Sequence, residues 1–190
     1  MNDFFFQDCI ESDQASLLLS AISSGEIAVE DRDGIDRTPL MVAIEFGRIA
    51  LVQSLLALGA NPNSKSNDGE TCLSRCIDIN STELVEALLD AGAHIEQIGA
   101  NFLTPLALAS MRGDESMINY LLCRGANIEA RGEIDETPLI EASFFGQEAA
   151  LICLLEHGAD RSAKNAFGCD ALTVAKERGH TSIVGILSRL

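Results

Sequence analysis

The sequence has few aromatic residues, few bases and no long hydrophobic run. Its 190 residues include no tryptophan and one tyrosine, and 29 Asp and Glu outnumber 13 Lys and Arg, so the formal net charge is -16. A surface this negative repels nucleic acid and anionic membranes and attracts basic proteins. No apolar run reaches the roughly 18 residues of a membrane span, and Asp3 stands where a signal peptide carries bases. A cytoplasmic protein that binds neither membranes nor nucleic acid is therefore expected.

In place of these features, the sequence has an internal repeat with a constant step of about 33 residues. Two landmarks keep that step: the tripeptide Thr-Pro-Leu, or a near copy with Cys instead of Pro, and the dipeptide Gly-Ala. The tripeptides begin at Thr38, Thr71, Thr104 and Thr137, and the dipeptides begin at Gly59, Gly92, Gly125 and Gly158. A fixed period of this length indicates an array of repeated units and favours binding over catalysis.

Each repeated unit is predicted to contain two helices. Thr38 can cap the first helix through its hydroxyl, and Pro39 suits the first helical position because its missing N–H is not needed there. The second helix shows an apolar stripe, with Leu51-Val52 followed by Leu55-Leu56, and Gly59 ends it. The polar link from this glycine to the next threonine is predicted to be a β-hairpin-like finger.

This pattern resembles the ankyrin repeat, whose signature is Thr-Pro-Leu, a small residue three positions on, a Val-x-x-Leu-Leu second helix and Gly-Ala. The resemblance covers about residues 26–190 and recurs five times. It implies an all-α solenoid of stacked helix-turn-helix units with β-hairpin-like fingers. It also implies that a partner protein binds on a concave face made by the finger tips and the exposed side of the first helices.

The two ends of the chain depart from the pattern. Thr38 follows Gly25 by only 13 residues, so residues 1–27 are predicted to hold a single helix, Gln14 to Ser23, as a half-repeat cap. The run Phe4-Phe5-Phe6 is expected to fold back onto it. Near the other end, Asp170 stands where the earlier units have the capping threonine, which indicates a C-terminal capping repeat. The predicted single domain, 1–190, thus has full repeats at 28–60, 61–93, 94–126 and 127–159 and a capping repeat at 160–190.

The groups that catalysis or metal binding requires are not gathered together by the repeat. Six cysteines have irregular spacing, which is typical of buried free thiols in a reducing cytosol. Cys72 and Cys76 could form half of a zinc site, but no second pair has matching spacing. The repeat places three histidines in different environments: His94, His157 and His180. No enzyme activity, metal or cofactor is therefore expected.

Two positions before the end of each first helix should point outward on the implied concave face. Apolar residues occupy several of them, where a merely soluble face would carry polar ones. An apolar centre with a charged rim is typical of a protein interface, and aromatic residues are its usual anchors. Alternatively, some of these side chains pack between repeats, as adjacent helical residues diverge by about 100°. The candidates are Phe46, Ile79, Met111, Phe144 and Phe145 in the centre, with Glu45, Asp78, Arg112 and Glu141 beside them.

The finger tips vary in sequence as recognition loops do, and the third is unusually apolar. Their acidic residues are expected to steer a basic partner, while their apolar residues contribute specificity. The candidate contact residues are Ile35, Asp36, Asp68, Phe102, Glu133, Ile134 and Glu136.

The leading interpretation is a monomeric, non-catalytic protein that binds a basic partner protein and neutralises it, as an inhibitor or an immunity-type protein would. The alternative is an adaptor or scaffold that brings a client protein to an enzyme. That role requires a second binding surface, which the convex face or the basic last repeat could supply. An enzyme is the third possibility, and the sequence offers no catalytic group for it.

Overall fold

The computed structural model describes residues 5–12 and 14–189, and in these the chain forms twelve α-helices joined by short loops. An antiparallel bridge between Lys65 and Thr71 is the one β-type pairing within the described ranges. The all-α class predicted from the sequence is confirmed. The helices are α1 (Phe5–Glu11), α2 (Ala15–Ser23), α3 (Pro39–Glu45), α4 (Ile49–Ala57), α5 (Cys72–Asp78), α6 (Thr82–Asp90), α7 (Pro105–Arg112), α8 (Glu115–Cys123), α9 (Pro138–Phe144), α10 (Glu148–Glu156), α11 (Ala171–Arg178) and α12 (Thr181–Leu187).

The chain divides into two compact units, residues 1–94 and residues 95–190. In unit 1, α1, α3 and α5 contact one another in sequence, and α2, α4 and α6 form a second row. In unit 2, α7, α9 and α11 form one row, and α8, α10 and α12 the other. The core of each unit lies between its two rows, where aliphatic side chains such as Leu55 and Leu121 are fully buried.

The first helix of each repeat begins where the sequence predicts, because a buried hydroxyl caps it. Thr38 Oγ1 accepts a hydrogen bond from the Met41 N–H at 3.3 Å. At Thr71 the cap is reciprocal: its Oγ1 accepts from the Ser74 N–H, while Ser74 Oγ accepts from the Thr71 N–H, both at 3.0 Å. In the last repeat, Asp170 Oδ1 takes over this role. These bonds satisfy backbone donors that would otherwise be unpaired at a helix start.

The structure adds one helix that the sequence does not predict. The expected single helix is present as α2, but α1 precedes it, so the N-terminal segment is a helix pair rather than a half-repeat. Phe6, Cys9 and Ile10 are buried at helical spacing and give α1 an apolar face towards its neighbours. A stripe of three residues is too short to identify from sequence. Phe4, which was expected to fold back with Phe5 and Phe6, lies outside the described residues.

Five hairpin-like fingers project between the repeats. In each finger, the N–H of the first residue donates to the C=O of the fifth, at 3.0 to 3.2 Å. The fourth residue of each finger has a positive φ: Asp36, Gly69, Phe102, Asp135 and Gly168. The fingers are residues 33–37, 66–70, 99–103, 132–136 and 165–169, and they keep the step of the sequence repeat.

Candidate functional site

An open groove of about 490 Å³ lies in unit 2, where the third and fourth fingers meet the ends of α7 and α9. Eight of the sequence-predicted contact residues line it, so the fold brings together candidates from two successive repeats. The groove is lined by Asn101, Phe102, Leu103, Met111, Glu133, Ile134, Glu136, Glu141, Phe144 and Phe145.

The walls of the groove are apolar and largely exposed. Phe102, Ile134 and Phe145 are 56%, 50% and 46% exposed, which is high for side chains of this size. Three such side chains around one groove mean that exposed apolar residues are clustered here rather than scattered over the surface.

Phe144 and Phe145 have different roles although they are adjacent. Their ring centroids are 4.9 Å apart with the planes inclined at 56°. The guanidinium carbon of Arg178 lies 3.5 Å from the Phe144 ring centroid, so a cation already covers one face of this ring. Phe145 is therefore the more available anchor. Arg178 was not among the candidate contact residues, although it occupies the position of Phe145 in the next repeat.

Two carboxyl groups line the same groove in buried positions. Glu136 and Glu141 are each only 7% exposed, although the sequence placed one on a finger tip and the other on an exposed rim. The burial of both residues corrects those expectations. It arises because finger residue 136 and α9 are covered by neighbouring repeats. Among the described residues, no group forms a hydrogen bond or ion pair with the Glu141 carboxyl.

Burial changes the acidity of both carboxyls. It raises the pKa of Glu141 to about 7, because the charged form loses hydration, and the negative charge of Glu136 adds to the effect. The pKa of Glu136 is also raised, first by burial and then by the charge of Asp135. Near neutral pH the groove therefore contains a carboxyl group that is balanced between its neutral and ionised forms.

Phe102 occupies a backbone position that a bulky residue rarely adopts. Its φ is 64°, whereas the equivalent finger positions carry Gly or Asp. The left-handed region is unfavourable for residues with a large side chain, and Gly, Asn and Asp tolerate it best. The Phe102 carbonyl accepts a hydrogen bond from the Glu133 N–H at 3.0 Å, which holds this tip against the next finger. Phe102 thus combines an unfavourable backbone conformation with a place at the mouth of the groove.

Replacing Phe102 with Asn is expected to leave the free energy of unfolding unchanged or raise it by up to about 1 kcal/mol, because the left-handed conformation becomes easier. The ring is mostly exposed, so little burial is lost. Urea unfolding followed by circular dichroism measures the change. A loss of stability greater than about 1 kcal/mol would identify the ring as a packing element instead.

In unit 1 two of the corresponding acidic candidates form ion pairs with nearby arginines. Glu45 forms ion pairs with Arg37 at 2.6 Å and with Arg75 at 3.4 Å, and Asp36 pairs with Arg32 at 2.6 Å. The Ser66 hydroxyl hydrogen-bonds Asp68 and lowers the pKa of that carboxyl.

The apolar candidates of unit 1 are less concentrated than those of unit 2. Phe46 and Ile35 are exposed, whereas Ile79 and Asp78 are half-buried. The cavity among these ion pairs holds only about 30 Å³, the share of a single water molecule. The most developed site thus lies in unit 2, where Arg112 is also exposed at the end of α7.

Most of the thiols are buried, and one histidine contacts a backbone carbonyl. Burial raises the pKa of Cys72 to about 12, which makes its thiol unreactive, and the pKa of Cys76 is raised for the same reason. Cys123 is exposed and Cys169 half-buried, so the expectation of burial holds for four of the six cysteines. His180 Nε2 lies 3.0 Å from the Phe144 carbonyl. The described part of the chain contains no group of three potential metal ligands and no helix long and apolar enough to cross a membrane.

Comparison with known proteins identifies the family. The family model for ankyrin repeats matches three overlapping stretches, residues 6–98, 40–132 and 106–189, whereas no curated protein matches the sequence significantly. Such repeats are generally protein–protein interaction modules and are typically non-catalytic. Because the matches extend from residue 6 to residue 189 and the helices recur in the same order, the chain belongs to the ankyrin-repeat family.

Proposed function

We propose that this chain is an acidic, non-catalytic binding protein that neutralises a basic partner protein by occupying its surface, as an inhibitor or an immunity-type protein does. The groove of unit 2 is its principal contact. The observation that carries the proposal is the combination of exposed apolar walls with buried carboxyl groups in one groove, on a chain of net charge -16.

The apolar walls supply the affinity in this proposal. Phe102, Ile134 and Phe145 would lose their remaining contact with water in a complex, and aromatic anchors in a desolvated centre carry most of the binding energy of an interface. Phe145 and Phe102 come from successive repeats, so a partner segment that fills the groove contacts both at once.

The acidic residues supply the selectivity for a basic partner. Glu133 and Asp135 are exposed on the fourth finger, beside the groove. Negative charge around an apolar centre speeds encounter with a positively charged protein and rejects acidic ones. The association rate should accordingly fall as salt screens these charges.

The proposal is tested by comparing two matched variants in capture experiments from the native cell. Ile134→Ser removes an apolar side chain from the groove, whereas Ile152→Ser removes one that is similarly exposed on α10. The wild type and the Ile152 variant should capture the same basic protein, and the Ile134 variant should capture at least about tenfold less. One equivalent of wild-type protein should also abolish the activity of the captured partner. Equal capture by both variants would contradict the assignment of the groove.

An adaptor is the second candidate, and the charge of the last repeat favours it. Residues 160–190 contain five bases against three acids, the reverse of the rest of the chain, and Arg161, Lys164 and Lys176 are exposed. An adaptor binds two proteins at the same time. If the chain is an adaptor, a second protein should co-purify with the first. Loss of this second protein when the three bases are replaced with Ser would support the adaptor over the neutraliser.

A further inference from the structure

We infer that the groove of unit 2 receives a cationic side chain of the partner, lysine or arginine, with its charged end against Glu136 and Glu141 and its methylene stem between the apolar walls. The inference depends on the proposed function, because it names the part of a basic protein that enters the groove. The arrangement of the groove, and the chemistry at its buried carboxyls, support this occupant over an apolar or acidic one.

Glu141 is the first observation. It is more than nine-tenths buried and lines the groove, and the structure shows no hydrogen bond or ion pair from a described residue to its carboxyl. Among the described residues no fully buried side-chain oxygen lacks a partner, so the Glu141 carboxyl oxygens are open to the groove. Glutamate is almost never buried to this extent unless it is paired. Because Glu136 lines the same groove and is equally buried, the second carboxyl increases the need for positive charge at this place.

The neighbouring charges of the chain do not meet that need. The elements that pack against α9 are α7, α10 and α11. The Arg178 guanidinium is stacked on the Phe144 ring rather than paired with Glu141, and the neighbouring charge that acts on Glu141 is that of Glu136. The charged groups on these elements and on the adjacent finger are Arg112, Glu148, Glu156, Lys176, Glu177, Arg178, Glu133, Asp135 and Glu136.

The size and lining of the groove fit a long side chain with a charged end. Its volume of about 490 Å³ is many times that of one water molecule. Lysine and arginine bury their methylene stems along apolar surfaces while the head group stays at a polar site. Phe102, Ile134 and Phe145 supply such surfaces at the mouth, and the carboxyls supply the polar site.

Proton release is a direct consequence of this occupancy. A cation stabilises the ionised form of a carboxyl group, so the pKa of Glu141 falls when the groove is filled. The free groove holds a carboxyl with a pKa of about 7. Since the complex binds fewer protons than the free protein near neutral pH, affinity should rise with pH up to roughly 7 and then level off.

Small probes test the inference without the partner. Glutamate carboxyl groups labelled with ¹³C are followed by NMR while n-butylammonium or n-propylguanidinium is added at constant ionic strength. We expect both cations to shift the Glu141 carboxyl resonance and to lower its pKa by at least about half a unit. The larger response identifies lysine or arginine as the preferred side chain. An equal concentration of n-butanol, which has the stem without the charge, should leave this pKa unchanged.

A double variant, Glu136→Gln with Glu141→Gln, is the control for specificity. It removes both charges at nearly the same side-chain volume. The carboxyl resonance of Glu133, the labelled glutamate that remains in the groove, should then no longer respond to either cation. Two results would overturn the inference: no response of the Glu141 carboxyl to the cations, or an equal response to n-butanol.

Failure of the inference can be distinguished from failure of the proposed function. If the double variant captures the same partner with the same affinity and the same pH dependence as the wild type, the groove binds a protein but not through a cation. If the probes bind as expected but Ile134→Ser still captures the partner normally, the pocket accepts cations but is not the partner's binding site.

Discussion

Replacing Phe46 and Phe145 together with Ala is expected to weaken binding of the partner by about 2 kcal/mol or more while leaving the fold intact. The two residues occupy the same position of the repeat, immediately after the first helix, and both rings are exposed. Truncation therefore leaves no cavity in either core, so the loss should appear in binding rather than in folding. Each ring belongs to its own unit, and the double change tests both surfaces at once.

Titration calorimetry with the captured partner measures this loss, and circular dichroism establishes that the variant is folded. The chain offers closely matched controls: Ile49 is 36% exposed, as is Phe46, and Ile152 is 42% exposed, against 46% for Phe145. Ile49→Ala with Ile152→Ala removes similar exposed apolar surface from the second helices. Unchanged affinity in the folded phenylalanine variant, or an equal loss in the isoleucine variant, would contradict the proposed binding surface.

The regular part of the fold could be predicted because each landmark has a local physical cause. Thr38 and Thr137 begin helices through a hydrogen bond that spans three residues. Pro39 at the first helical position and the glycines at positive φ also act within a few residues. A structure that depends on such local rules repeats whenever the sequence repeats.

The links between successive repeats were not predicted, although the sequence contains a signal for them. Glu30, Glu96 and Glu129 each accept a hydrogen bond from a backbone N–H that lies 31 residues later in the chain. Asn63 does the same for the His94 N–H at 2.7 Å. These four positions keep the step of the sequence repeat, so aligning the repeats by their acidic residues could have revealed the bonds.

The depth of the groove in unit 2 could not be predicted from residue types. Glu136 and Glu141 are charged residues on a finger and at the start of a short helix, and both positions suggest exposure. Their burial depends on the packing of neighbouring repeats around them, which is a property of the assembled stack. Eight of the sequence candidates line the groove, but residue types alone did not indicate which of them lie in its interior.

Replacing Glu141 with Gln is expected to stabilise the protein at pH 8 by about 2 kcal/mol and to reduce the fall of its free energy of unfolding between roughly pH 4.5 and pH 7. The folded pKa of about 7 lies above the usual value of 4.5. In that window the folded state holds a proton that the unfolded state has lost, so the free energy of unfolding falls as pH rises. The contribution of the protonated Glu141 carboxyl to the free energy of unfolding is complete below pH 4.5 and is lost above pH 7. The shift corresponds to about 3 kcal/mol. Weaker solvation of the amide in the groove offsets roughly 1 kcal/mol of that gain.

Urea unfolding at pH 5 and pH 8 measures the difference, with Glu133→Gln as the control because that carboxyl is exposed on the neighbouring finger. The control should keep the wild-type pH dependence, and the Glu141 variant should lose the part of it that the Glu141 carboxyl contributes. An identical pH dependence in both variants would show that Glu141 ionises normally in the folded state. If the expected result is obtained, the free protein carries a buried carboxyl that destabilises it at neutral pH, and a glutamine would serve the fold better. Such a cost to the fold would then be explained by the inferred complex, in which a cation from the partner pairs with the Glu141 carboxyl.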